Sequence, residues 1–259
     1  MDAQTSLEHA ATGITDERVV EVRGLRKAFG SNVVLDGFDL DLRRGENLMV
    51  LGKSGSGKSV LIKCIMRLLQ ADAGTIRVLG QDVLTLDQEA LDRLRVRIGF
   101  LFQSSALYDS MTVEENLEFP LRRHWITRDP KQTDALVDEV LNAVGLPQTR
   151  RMYPSELSGG MKRRIGLART LILKPEVVLY DEPTTGLDPI TGKEIVELIL
   201  KLQRAYNTSS IIISHDLNVA KLAANRIIVL HEGRNHVEGS YADLRASNDP
   251  VVRSFFIFM

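Results

Sequence analysis

The chain has 259 residues, of which 44% are hydrophobic, enough for one large domain, or a core with a subdomain, around a sizeable buried interior. A net charge of −1 gives no global attraction to nucleic acid, and a single cysteine, Cys64, excludes an internal disulfide and fits a reducing compartment. No apolar run reaches the length of a membrane span, and the first residues have neither the basic start nor the apolar centre of a signal peptide, so work at a membrane is expected to pass through a partner.

Residues 1 to about 17 are polar and aperiodic and read as a mobile tail, with no role for His9. Two strand-like runs, Val19 to Phe29 and Val33 to Leu42, flank Gly30-Ser31-Asn32 and predict an antiparallel hairpin. Phe29 beside the glycine suits either stacking on a base or packing as a strand-end aromatic, and its residue type leaves both open.

A short buried strand from Asn47 to Leu51 leads into Gly52, Lys53, Ser54, Gly55, Ser56, Gly57, Lys58 and Ser59, which fit G-x-x-x-x-G-K-[ST]. Small residues let backbone N–H groups approach phosphate oxygens, Lys58 reaches the outer phosphates, and the Ser59 hydroxyl suits magnesium. An amphipathic helix follows, with Val60, Leu61, Cys64, Ile65, Leu68 and Leu69 on one face and its positive N-terminal end toward the phosphates. Cys64 on that face reads as a core residue, not a nucleophile. Nucleotide binding is the first functional expectation.

A strand from Thr75 to Leu79, a short helix carrying Leu86, Ala90, Leu91 and Leu94, and an apolar strand from Ile98 to Phe102 come next, the last ending at Gln103. Ligands gather at the carboxyl ends of such strands. From about Ser104 to Leu157 the periodicity is helical, predicting a helical insertion. Thr112 to Glu115 reads as a helix start, and Leu136, Val137, Val140, Leu141 and Val144 form an apolar face closed by Gly145 and Pro147. His124 and Trp125 read as a solvated histidine and a packed ring, and the basic run Lys162-Arg163-Arg164 as a solvated helix face. Ser158, Gly159 and Gly160 open a helix carrying Ile165, Ala168, Leu171 and Ile172. They suit an ordinary helix cap or a second anion site, and the residues alone favour the cap.

The apolar run Val177 to Tyr180 ends in Asp181-Glu182, two carboxylates that are costly to bury without a cation or a reacting water. Asp181 is therefore expected at magnesium and Glu182 at the attacking water. Gly186-Leu187-Asp188-Pro189 connects to a helix from about Thr191 to Tyr206, and the strand Ser209 to Ile213 ends in Ser214-His215-Asp216, where His215 is placed to meet a γ-phosphate. Arg226 to Leu230 and Asn235 to Val237 form a hairpin with His231 and His236 expected to be exposed. Pro250 to Met259 is apolar enough to pack on its own domain or on a partner.

Taken in order, the phosphate loop, Gln103, Leu157-Ser158-Gly159-Gly160, Tyr180-Asp181-Glu182-Pro183, Gly186-Leu187-Asp188-Pro189 and Ser214-His215-Asp216 resemble an ABC-transporter ATPase over residues 19 to about 243. The resemblance implies an α/β P-loop NTPase core with an antiparallel β subdomain and an inserted α-helical subdomain at about 104–160, all within 18–243 and flanked by tails 1–17 and 244–259. It implies ATP and Mg2+, with Lys58, Gln103, Glu182 and His215 as the catalytic set and Ser59, Gln103 and Asp181 at the metal. Phe29 would stack on adenine, Gly52 to Val60 and Asp188 would line the nucleotide, and Ser158 to Gly160 would close over ATP bound to a second copy of the chain.

The family signature commonly has glutamine where Met161 stands. Met161 followed by basic residues, the stretch Gln103 to Val113 and the closing Asp249 to Phe255 are similar to the ATPases of Mla and MCE phospholipid-transport systems. That similarity implies a subunit at the cytoplasmic face of a bacterial inner membrane, beneath a separate integral-membrane permease, moving lipid between membranes. An MCE-domain lipid-binding subunit and a small accessory subunit would be further partners. An ABC importer for amino acids or other small solutes shares the chemistry and is the alternative, with glutamine expected at position 161. ABC proteins of translation would carry two cassettes, and chromosome-maintenance members long heptads, neither of which is seen.

Overall fold

The computed structural model describes residues 13–124, 126–127 and 129–256. His9, Trp125 and most of the expected N-terminal tail lie outside the described residues. The chain forms two compact units, one of residues 1–92 and 208–259, the other of residues 93–207.

The first unit opens with strands β1 (Arg18–Phe29) and β2 (Asn32–Arg43), an antiparallel hairpin with Val22 opposite Leu40 and Phe29 opposite Asn32. Alternation sends Phe38, Leu40 and Leu42 of β2 into the core while Asp39 is exposed, and a register shift at Gly37, with φ 76°, lets Leu35 join them. Strand β3 (Asn47–Leu51) is buried at all five positions, as a strand covered on both faces must be. Helix α1 (Lys58–Ile65) buries Leu61, Ile62, Cys64 and Ile65. The predicted apolar face does not continue to Leu68, which is 48% exposed, because Arg67 adopts φ 50° and this left-handed residue turns the chain off the helical face. Burial pushes the Cys64 thiol up to about 11, so it is protonated and inert at neutral pH. Strands β4 (Ala73–Val78) and β5 (Gln81–Asp82) complete a sheet of order β2-β1-β4-β5.

Helix α2 (Gln88–Val96) leads into the second unit, where β6 (Ile98–Leu101) is followed by α3 (Val113–Arg123) and α4 (Pro130–Ala143). A reciprocal capping box between Thr112 and Glu115 starts α3. The α4 stripe buries Val137, Val140 and Leu141 and stops at Gly145, whose φ of 73° suits a residue without a Cβ. Arg150 ties the two helices, donating to Glu114 of α3 and to Asp134 and Asp138 of α4. Two short 3-10 turns, Pro147–Thr149 and Pro154–Glu156, precede α5 (Gly159–Leu171), β7 (Val177–Asp181) and α6 (Pro189–Tyr206). Strands β6 and β7 run parallel, with Leu101 opposite Tyr180.

The chain then re-enters the first unit. Strand β8 (Ser209–Ser214), buried throughout, runs parallel to β3, and helix α7 (Leu217–Ala223) leads to β9 (Arg226–His231), parallel to β3 on its other side. Strand β10 (Arg234–Gly239) pairs antiparallel with β9, giving the order β10-β9-β3-β8. Helices α8 (Tyr241–Ala246) and α9 (Pro250–Phe256) close the described chain. Val252 is fully buried and the Phe256 ring lies 5.9 Å from Tyr241, so the apolar C-terminal segment packs against its own unit as far as Phe256, the last described residue. His236 is more than an exposed strand residue: its Nε2 lies 3.1 Å from the carboxylate of Asp249, whose Oδ1 also accepts the Val251 and Val252 N–H groups at the start of α9.

Candidate nucleotide site

In the first unit the loop from Gly52 to Ser59 can curl only because of its small residues. A Cβ at Gly52 would lie 2.5 Å from Ser56 Oγ and 3.0 Å from the Leu230 carbonyl, and one at Gly57, with φ 101°, would lie 2.8 Å from Val34 Cγ1. Lys58 is only 6% exposed, and its ammonium donates to the Gly52 carbonyl at 2.7 Å and the Lys53 carbonyl at 3.0 Å, so its charge is held within the curl. Helix α1 begins at Gly57 with no side-chain cap and no acidic residue in its first turn. Ser56 Oγ is buried without a hydrogen-bond partner among the described residues. A buried cation, an uncapped helix N-terminus and an orphaned hydroxyl together fit a phosphate ligand.

Register brings His215 to the same edge. Leu51 of β3 pairs with Ser214 of β8, so Gly52 and His215 leave neighbouring strands at one level. His215 is exposed, and Asp216 beside it caps α7 by accepting the Asn218 N–H at 2.8 Å. Phe29 ends β1 and is 49% exposed.

In the second unit the pairing of Leu101 with Tyr180 likewise sets Phe102 and Asp181 at one level, with Gln103 and Glu182 next along their chains. Asp181 and Glu182 are buried, at 7% and 9% exposure. Glu182 adopts φ 50°, a left-handed conformation that costs a non-glycine residue roughly 1–3 kcal/mol and persists where surrounding structure enforces it. Its Oε2 accepts a hydrogen bond from Thr185 Oγ1 at 3.1 Å. Gln103 is exposed on the loop after β6.

Arg163 corrects the expectation of a solvated basic face. It is 5% exposed and donates to the Phe102 carbonyl at 3.0 Å and the Thr185 carbonyl at 3.2 Å, joining the loop that carries Gln103 to the one that follows Glu182. Burial lowers its pKa below the ordinary arginine value. The signal that identifies it in the sequence is helical spacing, since Arg163, Leu167 and Thr170 share the buried stripe of α5. Arg163→Met is expected to lower stability by roughly 2–3 kcal/mol, from the loss of charge-assisted hydrogen bonds. Urea unfolding measures this directly, and an unchanged midpoint would show that the two contacts carry no weight.

Arg169 carries no comparable signal in the sequence. It donates to the Ser105 carbonyl at 2.7 Å and the Ala106 carbonyl at 2.8 Å, two consecutive residues with φ of 61° and 47°. Asn116, fully buried, accepts the Tyr108 N–H and donates to the carbonyls of Tyr108, Met111 and Thr112. The loop after Gln103 is thus held by side chains on α3 and α5.

Ser158 caps α5, its Oγ accepting the Met161 N–H at 3.2 Å, and a Cβ at Gly160 would lie 2.8 Å from Thr191 Cγ2 of α6. Asp188 caps α6, accepting the N–H groups of Ile190 and Thr191 at 3.1 and 3.0 Å. The Thr191 side chain, chiefly, holds its carboxyl below the usual range. Within one chain Ser158 and Asp188 therefore act as helix caps.

The family model described as ABC transporter matches residues 35–185. The methionine import ATP-binding protein MetN of Rhizobium johnstonii is 37% identical over 235 residues, which cover 91% of this chain and 64% of that protein. The probable ribonucleotide transport ATP-binding protein mkl of Mycobacterium leprae is 37% identical over 236 residues, covering 91% of this chain and 68% of that one. The chain thus spans about two thirds of the length of these curated relatives. Among solved structures, the dimeric post-hydrolysis state of the ATP-binding cassette MJ0796 bound to ADP and Pi has a TM-score of 0.78 at 30% identity, covering 86% of this chain and 98% of that one. The structure of cbiO1 from Clostridium perfringens, part of the ABC transporter complex cbiONQ, has a TM-score of 0.81 at 25% identity, covering 94% of this chain and 99% of that one. With the phosphate loop and the two levels of strand exits already in view, these matches make the chain a member of the ABC transporter family of ATP-binding subunits, whose ATPase domains bind ATP with Mg2+ and hydrolyse it.

Proposed function

We propose that the chain hydrolyses ATP to drive a membrane transporter. The single observation that carries this reading is the Gly52–Ser59 curl around the buried Lys58 ammonium, with His215 leaving the adjacent strand. Lys58 binds the outer phosphates, and Ser59, Gln103 and Asp181 would hold magnesium, which would supply charge neutralisation. Glu182 polarises the attacking water and accepts its proton, and His215 orients the γ-phosphate. The remaining nucleotide contacts are Phe29 on adenine and the loop residues Gly52 to Val60.

A second copy completes the chemistry. Ser158, Gly159 and Gly160 of one chain act on the nucleotide held by the other, and Asp188, the N-cap of α6, is a further nucleotide contact. The dimeric ADP-bound and Pi-bound state of the MJ0796 cassette supports this arrangement. No described helix is long and apolar enough to cross a membrane, which fits a peripheral subunit held at the cytoplasmic face by a permease.

For the cargo, the reading is phospholipid, with an MCE-type lipid-binding subunit and a small accessory subunit as further partners. Met161 in place of glutamine, followed by Lys162 and Arg163, supports it, together with the sequences of the loop after Gln103 and of α9. The methionine import relative favours the second reading, a small-solute importer. Co-purification from the native membrane, with extraction and identification of bound lipid, separates them. Phospholipid in the complex is expected, and a partner that binds only small polar solutes would remove the lipid reading.

A further inference from the structure

Phe29 is a large aromatic left 49% exposed at the end of a strand, yet the residues behind it are tightly organised. The Asp72 carboxylate accepts the Lys27 ammonium at 2.7 Å through one oxygen and the Ala28 N–H at 2.6 Å through the other, while the Asp72 N–H donates to the Arg26 carbonyl at 2.9 Å. Three successive residues of β1 are therefore tied to one side chain and its backbone, immediately before Phe29. Lys27 keeps only 14% of its side chain exposed, and its ammonium lies 5.4 Å from the centroid of the Phe29 ring, over its face. That distance is within cation–π range.

We propose that Lys27 and Asp72 are positioning residues for the nucleotide base: Asp72 fixes the Lys27 ammonium under one face of Phe29 and so presents the other face for stacking. The inference rests on the reading of Phe29 as the adenine contact. A ring held on one side by an anchored cation loses less freedom when a flat partner stacks on the other, so the pair contributes to affinity for the base. Lys27 and Asp72 form a neutral pair, so their joint effect is not attraction of phosphate. Removing one or the other changes local charge in opposite directions, whereas both removals release the ring.

The test compares ATP with inorganic tripolyphosphate, which has the phosphates and no base, in binding to the full chain. Phe29→Ala is expected to raise the ratio of the ATP Kd to the tripolyphosphate Kd roughly fivefold or more. Lys27→Met and Asp72→Asn should each raise it in the same direction, about two- to fivefold. Lys27→Arg should keep the ratio within about twofold of the parent, since the cation and its partner remain. The double variant Lys27→Met with Phe29→Ala should move it no further than Phe29→Ala alone. If Phe29→Ala shifts the ratio while Lys27→Met and Asp72→Asn leave it unchanged, or move it in opposite directions, the positioning role is wrong and the adenine contact stands. If Phe29→Ala leaves the ratio unchanged, the adenine contact falls and the positioning role with it. Equal weakening of both ligands by Lys27→Met and Asp72→Asn leaves the ratio where it was and also counts against the proposal.

Discussion

Replacement of Glu182 by glutamine is expected to lower ATP turnover by about 100-fold or more while ATP still binds. A positioned general base contributes roughly 10²- to 10⁴-fold, and glutamine keeps the size of the side chain while losing its proton affinity. The geometry supports the choice of this residue. Glu182 is 9% exposed at the exit of β7, held by Thr185 Oγ1 at 3.1 Å, and carries a left-handed backbone that only the surrounding structure maintains. Glu182→Gly, which relieves the backbone without restoring a carboxylate, should lose turnover equally. Phosphate release from the purified dimer or transporter complex, measured beside ATP binding to the same sample, checks both variants. Turnover near the parent value in Glu182→Gln would transfer the role of base to another residue.

Lys58→Ala is the second large effect, and it acts earlier, on binding. The ammonium sits within the curl and donates to the Gly52 and Lys53 carbonyls, which orient it. Loss of one charge-assisted contact to phosphate corresponds to roughly 1.5–3 kcal/mol, or about 10- to 100-fold in Kd. Equilibrium titration with ATP gives the number. Because tripolyphosphate uses the same contact, its affinity should fall in parallel, the opposite of the outcome expected for Phe29→Ala. Retained affinity for both ligands would mean that the loop binds phosphate through its backbone alone.

Much of the fold was legible because its physics is local. Strands β3, β7 and β8 are short and buried throughout, each around an apolar run, Leu48 to Leu51, Val177 to Tyr180 and Ile211 to Ile213, as strands covered on both faces are. The capping box at Thr112 and the glycine turn at Gly145 announce their helix ends in four or five residues. The errors came where distant partners decide. Nothing near Arg67 marks it as left-handed, yet that backbone ends α1 and leaves Leu68 exposed. Three consecutive basic residues read as a solvated face, and only the stripe shared with Leu167 and Thr170 places Arg163 inside. His236 is exposed on its strand as expected, but its partner, Asp249, comes from a separate helix start. For the candidate site, composition and spacing identify the phosphate loop and the paired carboxylates, whereas Arg169 and Asn116, which shape the loop after Gln103, have no local signature.

These last contacts share a property with consequences for how the protein can vary. Arg163, Arg169 and Asn116 address main-chain atoms almost exclusively, at Phe102, Ser105, Ala106, Tyr108, Met111, Thr112 and Thr185. Apart from Tyr108, whose ring lies 5.9 Å from the Arg169 guanidinium, side chains on the loop can change without disturbing these hydrogen bonds. The instructions for its shape are stored outside it, on α3 and α5, so the loop's outer surface can be refitted to a new partner while the three residues beneath it stay as they are.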